Sequence, residues 1–526
     1  MHGLRLCSAA GMALCATSLA FGQFGPRVNE YPDVIVSSVG GSYDSTGTGA
    51  LANYGSSNGW ASYAIGSDSC NIGLNPAIWM DAGTYSNQHP VIGGQIYRNF
   101  NGRFEQIGMS WLKHGFCAAD SCSTGNNSGG QQGCLNIGGN HPSHTGCQTD
   151  YRGSPATGGT GCDWLGAARA TDTYGSSLNG SQGYLGPRSE VNAWTGVYPY
   201  PYVRQGSNPS SCLNKRLLVR NSDLDPANFP RYNATTNPTG ARYYGEVVYI
   251  VTDEWPTERY NGYSTRALVV GTSLATPSGG CGPAFSLAFT IGTGNLTIPF
   301  KPAITQWKEA DPTVTLVTAD APNDGRFYIG AKVTDLGNGT WNYEYAVFNL
   351  NSDRSAGSFS IPKSSSSALQ ISSTGFHAPE YHSGEPYAAK AWDTTINPGE
   401  VRFACDPYAT NANANAIRWS TLYNFRFVAN QPPKMATDTP VVIGLFKPGV
   451  QSTDANAIEV RGLPVPGDPP SCRADFNASG SLDTQDIFDF LNGWLAGVPA
   501  ADFNGTGGIE VQDIFDYLNA WFVGCP

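Results

Sequence analysis

The chain has 526 residues, a formal net charge of −11 at pH 7, 13% charged residues and 12% aromatics. Disordered chains lack aromatics, and coiled coils need abundant Ala, Glu, Lys and Leu, so both classes are excluded. With 64 glycines and 35 prolines the composition points to strands and turns, in about three domains at ~150 residues each, and an acidic chain with no basic stripe is unsuited to nucleic acid.

Residues 1–22 read as a secretory signal peptide. Arg5 supplies the positive start, residues 6–20 a short apolar run, and Ala20 and Gly22 the small residues ahead of Gln23. The run is too short to span a bilayer, and no later stretch reaches the ~18 apolar residues a spanning helix needs. An exported chain with no transmembrane segment is expected. Of the 13 cysteines, Cys7 and Cys15 leave with the signal. The remainder predict disulfides in an oxidising compartment, and their odd number leaves at least one outside an intramolecular pair.

Residues 23–290 form an expected Cys- and Gly-rich β domain. Apolar runs at 33–39, 216–220, 246–254 and 266–272 read as strands between long Gly/Ser/Asn loops. Cys117, Cys122, Cys134, Cys147 and Cys162 lack paired C-x-x-C spacing, which favours disulfides over zinc. The candidate catalytic residues are His89, Glu105 and His114, with Asp223 and Asp225 of NSDLDP and the His141-x-x-His144 pair nearby. Two histidines and a carboxylate can hold a metal or move a proton if the fold converges them. Asp223 and Asp225 equally suit turn capping. Trp194, Tyr198, Tyr200 and Tyr202 alternate with prolines, as sugar-stacking platforms or as plugs at a sandwich edge. No nucleophile elbow, zincin helix, P-loop or dinucleotide fingerprint occurs. A glycosidase carboxylate pair has no local signature, so whether the region is an enzyme stays open.

Residues 291–461 alternate as a β-sandwich should. Phe327, Ile329, Ala331 and Val333 share one face, Asn338-Gly339 marks a hairpin, and Trp341, Tyr343, Tyr345 and Val347 alternate after it. Tyr423, Phe425 and Phe427, then Val441, Ile443 and Leu445, repeat the pattern. Residues 462–471, rich in Pro and Gly, read as an inter-domain spacer.

Residues 472–526 contain an internal repeat. DFNASGSLDTQDIFDFLNGW at 475–494 returns as DFNGTGGIEVQDIFDYLNAW at 502–521. Each copy opens with the oxygen-ligand spacing of a calcium loop. The first ligand set is Asp475, Asn477, Ser479, the Ser481 carbonyl, Asp483 and Asp486. The second is Asp502, Asn504, Thr506, the Gly508 carbonyl, Glu510 and Asp513. A helix should follow each loop, with Ile487, Leu491 and Trp494, and again Ile514, Leu518 and Trp521, as apolar stripes. Seven of the eleven net negative charges fall in this short segment, which repels itself unless cations bind.

The duplicated loops and the Gly524-Cys525 ending resemble a dockerin of the GC type, the calcium-loop module of secreted bacterial proteins. The resemblance covers about a tenth of the chain. It departs at the fifth loop position, where dockerins usually carry Asp and this chain has Ser479 and Thr506. It implies calcium as cofactor and a cohesin-like or envelope docking partner. Cys472 and Cys525 bracket the repeat, and a disulfide between them closes it in one reading, while Cys525 is a processing site in the other. The expected protein is mostly β, secreted, and attached at a surface or in a complex, with β domains that bind a polysaccharide or protein. Its alternatives are an anchored hydrolase and a structural coat component.

Overall fold

The computed structural model describes residues 31–41, 50–80, 87–118, 163–167, 170–202, 211–277, 281–290, 296–381, 384–451, 453–468, 472–477, 479 and 481–524. The chain is mostly β, with several sheets and 41% strand against 12% helix. Among the described residues no helix is long and apolar enough to cross a membrane.

A ten-stranded antiparallel sheet dominates the N-terminal region. Its path runs through Ala284–Phe289, Tyr263–Ala275, Arg242–Ile250, Val91–Phe100, Arg103–Met109, Leu217–Arg220, Trp60–Ile65 and Leu51–Ser57, with Leu112–His114 and Leu185–Gly186 to one side. The side-chain period of two sends Tyr243, Val247 and Tyr249 to one face. There they meet Val34, Val36 and Tyr174 of a three-stranded sheet made by Val34–Val39, Ser67–Asn71 and Ala170–Tyr174. Tyr244, Val248 and Ile250 take the other face and enter a separate core. Covering on both faces buries the Tyr243–Ile250 run completely.

The apolar runs at 33–39, 216–220, 246–254 and 266–272 all contain strands, and the 291–461 region is a sandwich of two five-stranded sheets. One runs Thr315–Asp320, Arg326–Asp335, Trp341–Asn349, Thr421–Ala429, Ile371–His377. The other runs Asp393–Asn397, Glu400–Ala404, Ala356–Pro362, Val441–Leu445, Ala457–Val460. Phe327, Ile329, Tyr343, Tyr345, Phe425, Phe427 and Ile443 fill the space between them. The hairpin at Asn338-Gly339 is present. Gly337 and Gly339 take the positive φ that the turn needs, +75° and +77°, and Leu336 N–H donates to Thr340 O at 3.0 Å.

The two β regions share a core. Tyr97, Phe104 and Tyr244 of the ten-stranded sheet pack with Trp307, Tyr328, Phe348 and Leu422 from beyond residue 300. Gln106 binds across the junction like a strand: its Nε2 donates to Ser420 O at 3.2 Å and its Oε1 accepts from Leu422 N at 2.8 Å. Asn424 Nδ2 donates to Phe104 O at 3.0 Å, and Arg103 meets Glu344 at 3.1 Å. Burial pushes the Glu344 carboxyl up to about 8 against the pull of Arg103. This junction explains why residues 343–349 of the Trp341–Asn349 strand are buried on both faces although their alternation suggested one.

The spacer is shorter than its composition suggested. Pro464–Pro466 pairs with Pro433–Met435 at an edge, where proline is tolerated, and Leu463 and Val465 are buried in the sandwich core. Beyond Gly467, whose N–H reaches Pro432 O at 2.8 Å, only residues 468–471 remain for a spacer.

Cys212 and Cys281 form a disulfide, and Cys70, Cys117 and Cys472 are disulfide-bonded. Cys405 is a free thiol that burial pushes up to about 11. Cys122, Cys134, Cys147, Cys162 and Cys525 lie outside the described residues.

The first strand is pinned by two buried acids. Glu254 Oε1 accepts from Val34 N at 2.8 Å, and Asn261 Nδ2 donates to Asp33 Oδ1 at 3.0 Å. The two carboxyls lie within hydrogen-bonding reach of each other, and burial pushes Asp33 up to about 7. Burial, then the nearby Asp33, pushes Glu254 up as well. The native state therefore holds a proton that the unfolded chain releases near its ordinary carboxylate value. The stability this proton brings is full at about pH 4 and is lost as pH rises through 7. Asp33→Asn should flatten that fall, so thermal midpoints of both proteins from pH 4 to 8 form the test, and parallel curves would reject it.

Candidate functional site

The C-terminal helices span Thr484–Leu495 and Val511–Val523. Each starts on a capping box, Asp483 with Asp486 and Glu510 with Asp513, so that backbone N–H groups otherwise unmatched at a helix start find acceptors. Phe490 stacks on Tyr517 at 4.0 Å with rings 1° from parallel, and Ala474, Ala501 and Phe503 complete the small core. Ile487, Leu491 and Trp494 pack against it, as do Ile514, Leu518 and Trp521. The repeats brace each other: Trp494 Nε1 donates to Glu510 O at 2.9 Å, and Trp521 Nε1 to Asp483 O at 3.1 Å.

The loops repeat atom by atom. Ser479 N donates to Asp475 Oδ1 and Asn477 Oδ1 at 2.9 and 3.0 Å. Thr506 N does the same to Asp502 Oδ1 and Asn504 Oδ1 at 3.0 and 3.1 Å. Asp486 accepts from Asn477 N and Asp483 N, and Asp513 from Asn504 N and Glu510 N. Those donors, Glu510 first and then Asn504, hold the Asp513 carboxyl below the ordinary carboxylate range. Ser479 Oγ lies 3.1 Å from the Ser481 carbonyl oxygen. The Gly508 carbonyl holds the corresponding place in the second loop.

Two residue pairs orient this set and were missed in the sequence. Asn477 Nδ2 donates to Asp489 Oδ2 at 2.8 Å and Asn504 Nδ2 to Asp516 Oδ2 at 3.1 Å, which turns each amide oxygen into its loop. Gln485 and Gln512 hold the same two aspartates from one turn away, at 3.0 and 3.1 Å. Their signal was the identical Q-D-I-F-D in both copies.

The donors are all oxygen, which suits a hard cation such as calcium. Asp486 and Asp513 are buried, and no Lys, Arg or His faces either in an ion pair among the described residues. Among the described residues no three His, Cys, Asp or Glu side chains converge on one point. Each proposed set counts three carboxylates, Asp475, Asp483 and Asp486 or Asp502, Glu510 and Asp513, so the carboxylates of a set are not gathered at one point. Asp483 Oδ1 faces the helix start, accepting from Gln485 N at 2.8 Å, so a contact from that oxygen to a cation would run through water.

The candidate catalytic residues divide. His89 and His114 meet, with His89 Nε2 2.8 Å from His114 Nδ1 and His89 Nδ1 3.0 Å from Met80 O. A carbonyl only accepts, so His89 Nδ1 bears hydrogen, and a hydrogen bond joins His89 Nε2 to His114 Nδ1. Tyr202 stacks on His114 at 3.5 Å, and Tyr198 donates to His89 O. Tyr198 and Tyr202 are buried and plug the sheet, whereas Tyr200 is 39% exposed and Trp194 half-buried. Glu105 is elsewhere: it pairs with Arg98 while His114 pairs with Val91, seven residues along one strand, or about 23 Å.

Glu105 instead meets Asp223 on one guanidinium. Arg98 Nη2 binds Glu105 Oε2 at 2.8 Å and Nη1 binds Asp223 Oδ1 at 2.9 Å, with Arg98 stacked 3.4 Å over Phe229. A carboxylate clamped to arginine is a weak general base, so this is a structural clamp. Asp225 caps a turn by accepting from Ala227 N at 2.8 Å. His141 and His144 lie outside the described residues.

A further site was not visible in the sequence. A cleft of about 410 Å³ opens where the Arg242–Ile250 and Tyr263–Ala275 strands meet the short helix Thr305–Ala310. Its walls include Tyr232, Arg242, Tyr244, Val269, Thr290 and Gln306.

No family model and no curated protein matches the chain. A solved structure described as "Biofilm associated protein - B domain" aligns with 73% of this chain and 72% of its own at 8% identity. Its TM-score of 0.09 is too low to show a shared fold.

Proposed function

We propose that this is an exported protein held at a cell surface or in a complex by its C-terminal repeat, with the β regions presenting a glycan- or protein-binding surface. The observation that carries the reading is the duplication of loop and helix face together. Phe488 and Phe515 hold corresponding positions and are 59% and 58% exposed; Leu495 and Phe522 correspond likewise at 76% and 77%. Single exposed apolar residues are ordinary, but Phe488 and Leu495 share one helix face at a spacing of seven, and Phe515 and Phe522 repeat it on the second helix. A cohesin-like or envelope partner that covers these faces is the reading's docking partner. Calcium, held by the two loops, would fix the chain entering each helix and so hold both pairs in place.

Deleting residues 471–526 is expected to release the protein from cells while the β regions keep their far-UV circular dichroism and thermal midpoint. Unchanged cell association of the truncated protein would sink the proposal. The double variant Phe488→Ala/Phe515→Ala, fully folded, should also shift the protein to the medium. Its retention at the surface would remove Phe488 and Phe515 from the docking face.

A further inference from the structure

The cleft beside Arg242 combines a positive lining, a stacked guanidinium and a mixed apolar and polar wall. Its lining holds two arginines and no carboxylate, in a protein of net charge −11. The Arg231 guanidinium is already spent on the protein: Nη1 donates to Phe229 O and Tyr243 Oη, and Nη2 to Gly271 O. Arg242 has no carboxylate partner among the described residues. It lies 3.9 Å over the Tyr232 ring. Stacking on Tyr232 restrains the plane of the guanidinium before any ligand arrives, which lowers the ordering cost of binding.

The remaining wall is mixed. Tyr232 and Val269 are 39% and 51% exposed at the mouth, offering apolar surface, while Thr290 and Gln306 bring neutral polar groups. A planar fork suits a carboxylate, the apolar edge suits the carbon face of a ring, and the polar groups suit hydroxyls. The volume is in the range of sites for small ligands, roughly 300–1,000 Å³.

We propose that this cleft binds an acidic sugar unit of a polysaccharide, with a uronate carboxylate on Arg242 and the sugar ring against Tyr232 and Val269. The proposal rests on the glycan-binding reading of the β regions and names the class of glycan.

Calorimetric titration of the full chain with trigalacturonate and with an alginate trisaccharide, beside maltotriose and cellotriose, tests it. Binding of an acidic probe, weakened by added salt and lowered roughly tenfold or more by Arg242→Gln, is the expected result. Arg242→Lys should recover part of the loss, and Tyr232→Ala should weaken the same probe. Thermal midpoints equal to the parent's qualify each variant, and Tyr232→Ala serves alone if Arg242→Gln does not fold. Acidic binding untouched by the folded variants overturns the site. Binding of the neutral probes alone overturns the acidic class and leaves the glycan reading standing. Binding of none of the four overturns the proposal, and the docking reading is still decided separately by release of the truncated protein.

Discussion

Trp307→Ala is expected to destabilise the two β regions together, by about 3–5 kcal/mol, the range for removing a buried indole. Trp307 is fully buried on the short helix that links the regions, between Phe104 of the ten-stranded sheet and Gly330 of the sandwich. An added Cβ at Gly330 would sit 2.7 Å from the indole, so the ring fills the space left by that glycine. Its removal opens a cavity bounded by both regions, and neither side can collapse into it alone. The regions should therefore unfold in one transition, before and after substitution. Urea denaturation followed by tryptophan fluorescence and by far-UV circular dichroism gives the check. Two separated transitions in the parent protein would show that the shared core does not couple them.

This coupling marks the limit of what the sequence disclosed. Alternation identified the strands and the turn chemistry identified the hairpin at Asn338-Gly339, because both are local. Nothing local to Ala346 or Phe348 states that a second sheet covers them, nor that Gln106 would reach Ser420 and Leu422 some three hundred residues away. The same distinction holds for the sites. The proposed calcium-loop residues lie within twelve consecutive positions of each copy, where a spacing rule can single them out. The cleft draws on residues from 231 to 306 in separate elements, and no spacing rule connects Arg242 to Gln306. His89 and His114 were chosen for their chemistry and do meet, but strand register carried Glu105 to Arg98 and Asp223 instead. Linker composition misled for a related reason: an edge strand tolerates proline, so Pro464–Pro466 could join the sandwich while reading as a spacer.

Calcium chelation should lower the melting of the C-terminal repeat and leave the β regions unchanged. A segment of about 55 residues buries too little apolar surface to be comfortably stable and usually needs a staple. The core here is small, with Phe490, Tyr517, Ala474, Ala501 and Phe503 at its centre, and Cys472 supplies one disulfide linkage. Six of the eight acids in the segment belong to the two proposed ligand sets, so folding without a cation brings like charges into one small unit. A bound calcium at a hundred times its Kd would add about 2.7 kcal/mol per loop, enough to decide whether so small a unit is folded. Acid should act like chelation: the Asp513 carboxyl is held below its ordinary range, so its contribution is present above the unfolded value and is lost as pH falls through the folded one. Differential scanning calorimetry of the full chain, with calcium and with EGTA, should show one transition move and one stay. Asp475→Ala and Asp502→Ala should each remove part of the shift, and the double variant all of it. An endotherm for residues 472–526 that ignores both chelator and variants would show that the loops stand without metal, and the docking face with them.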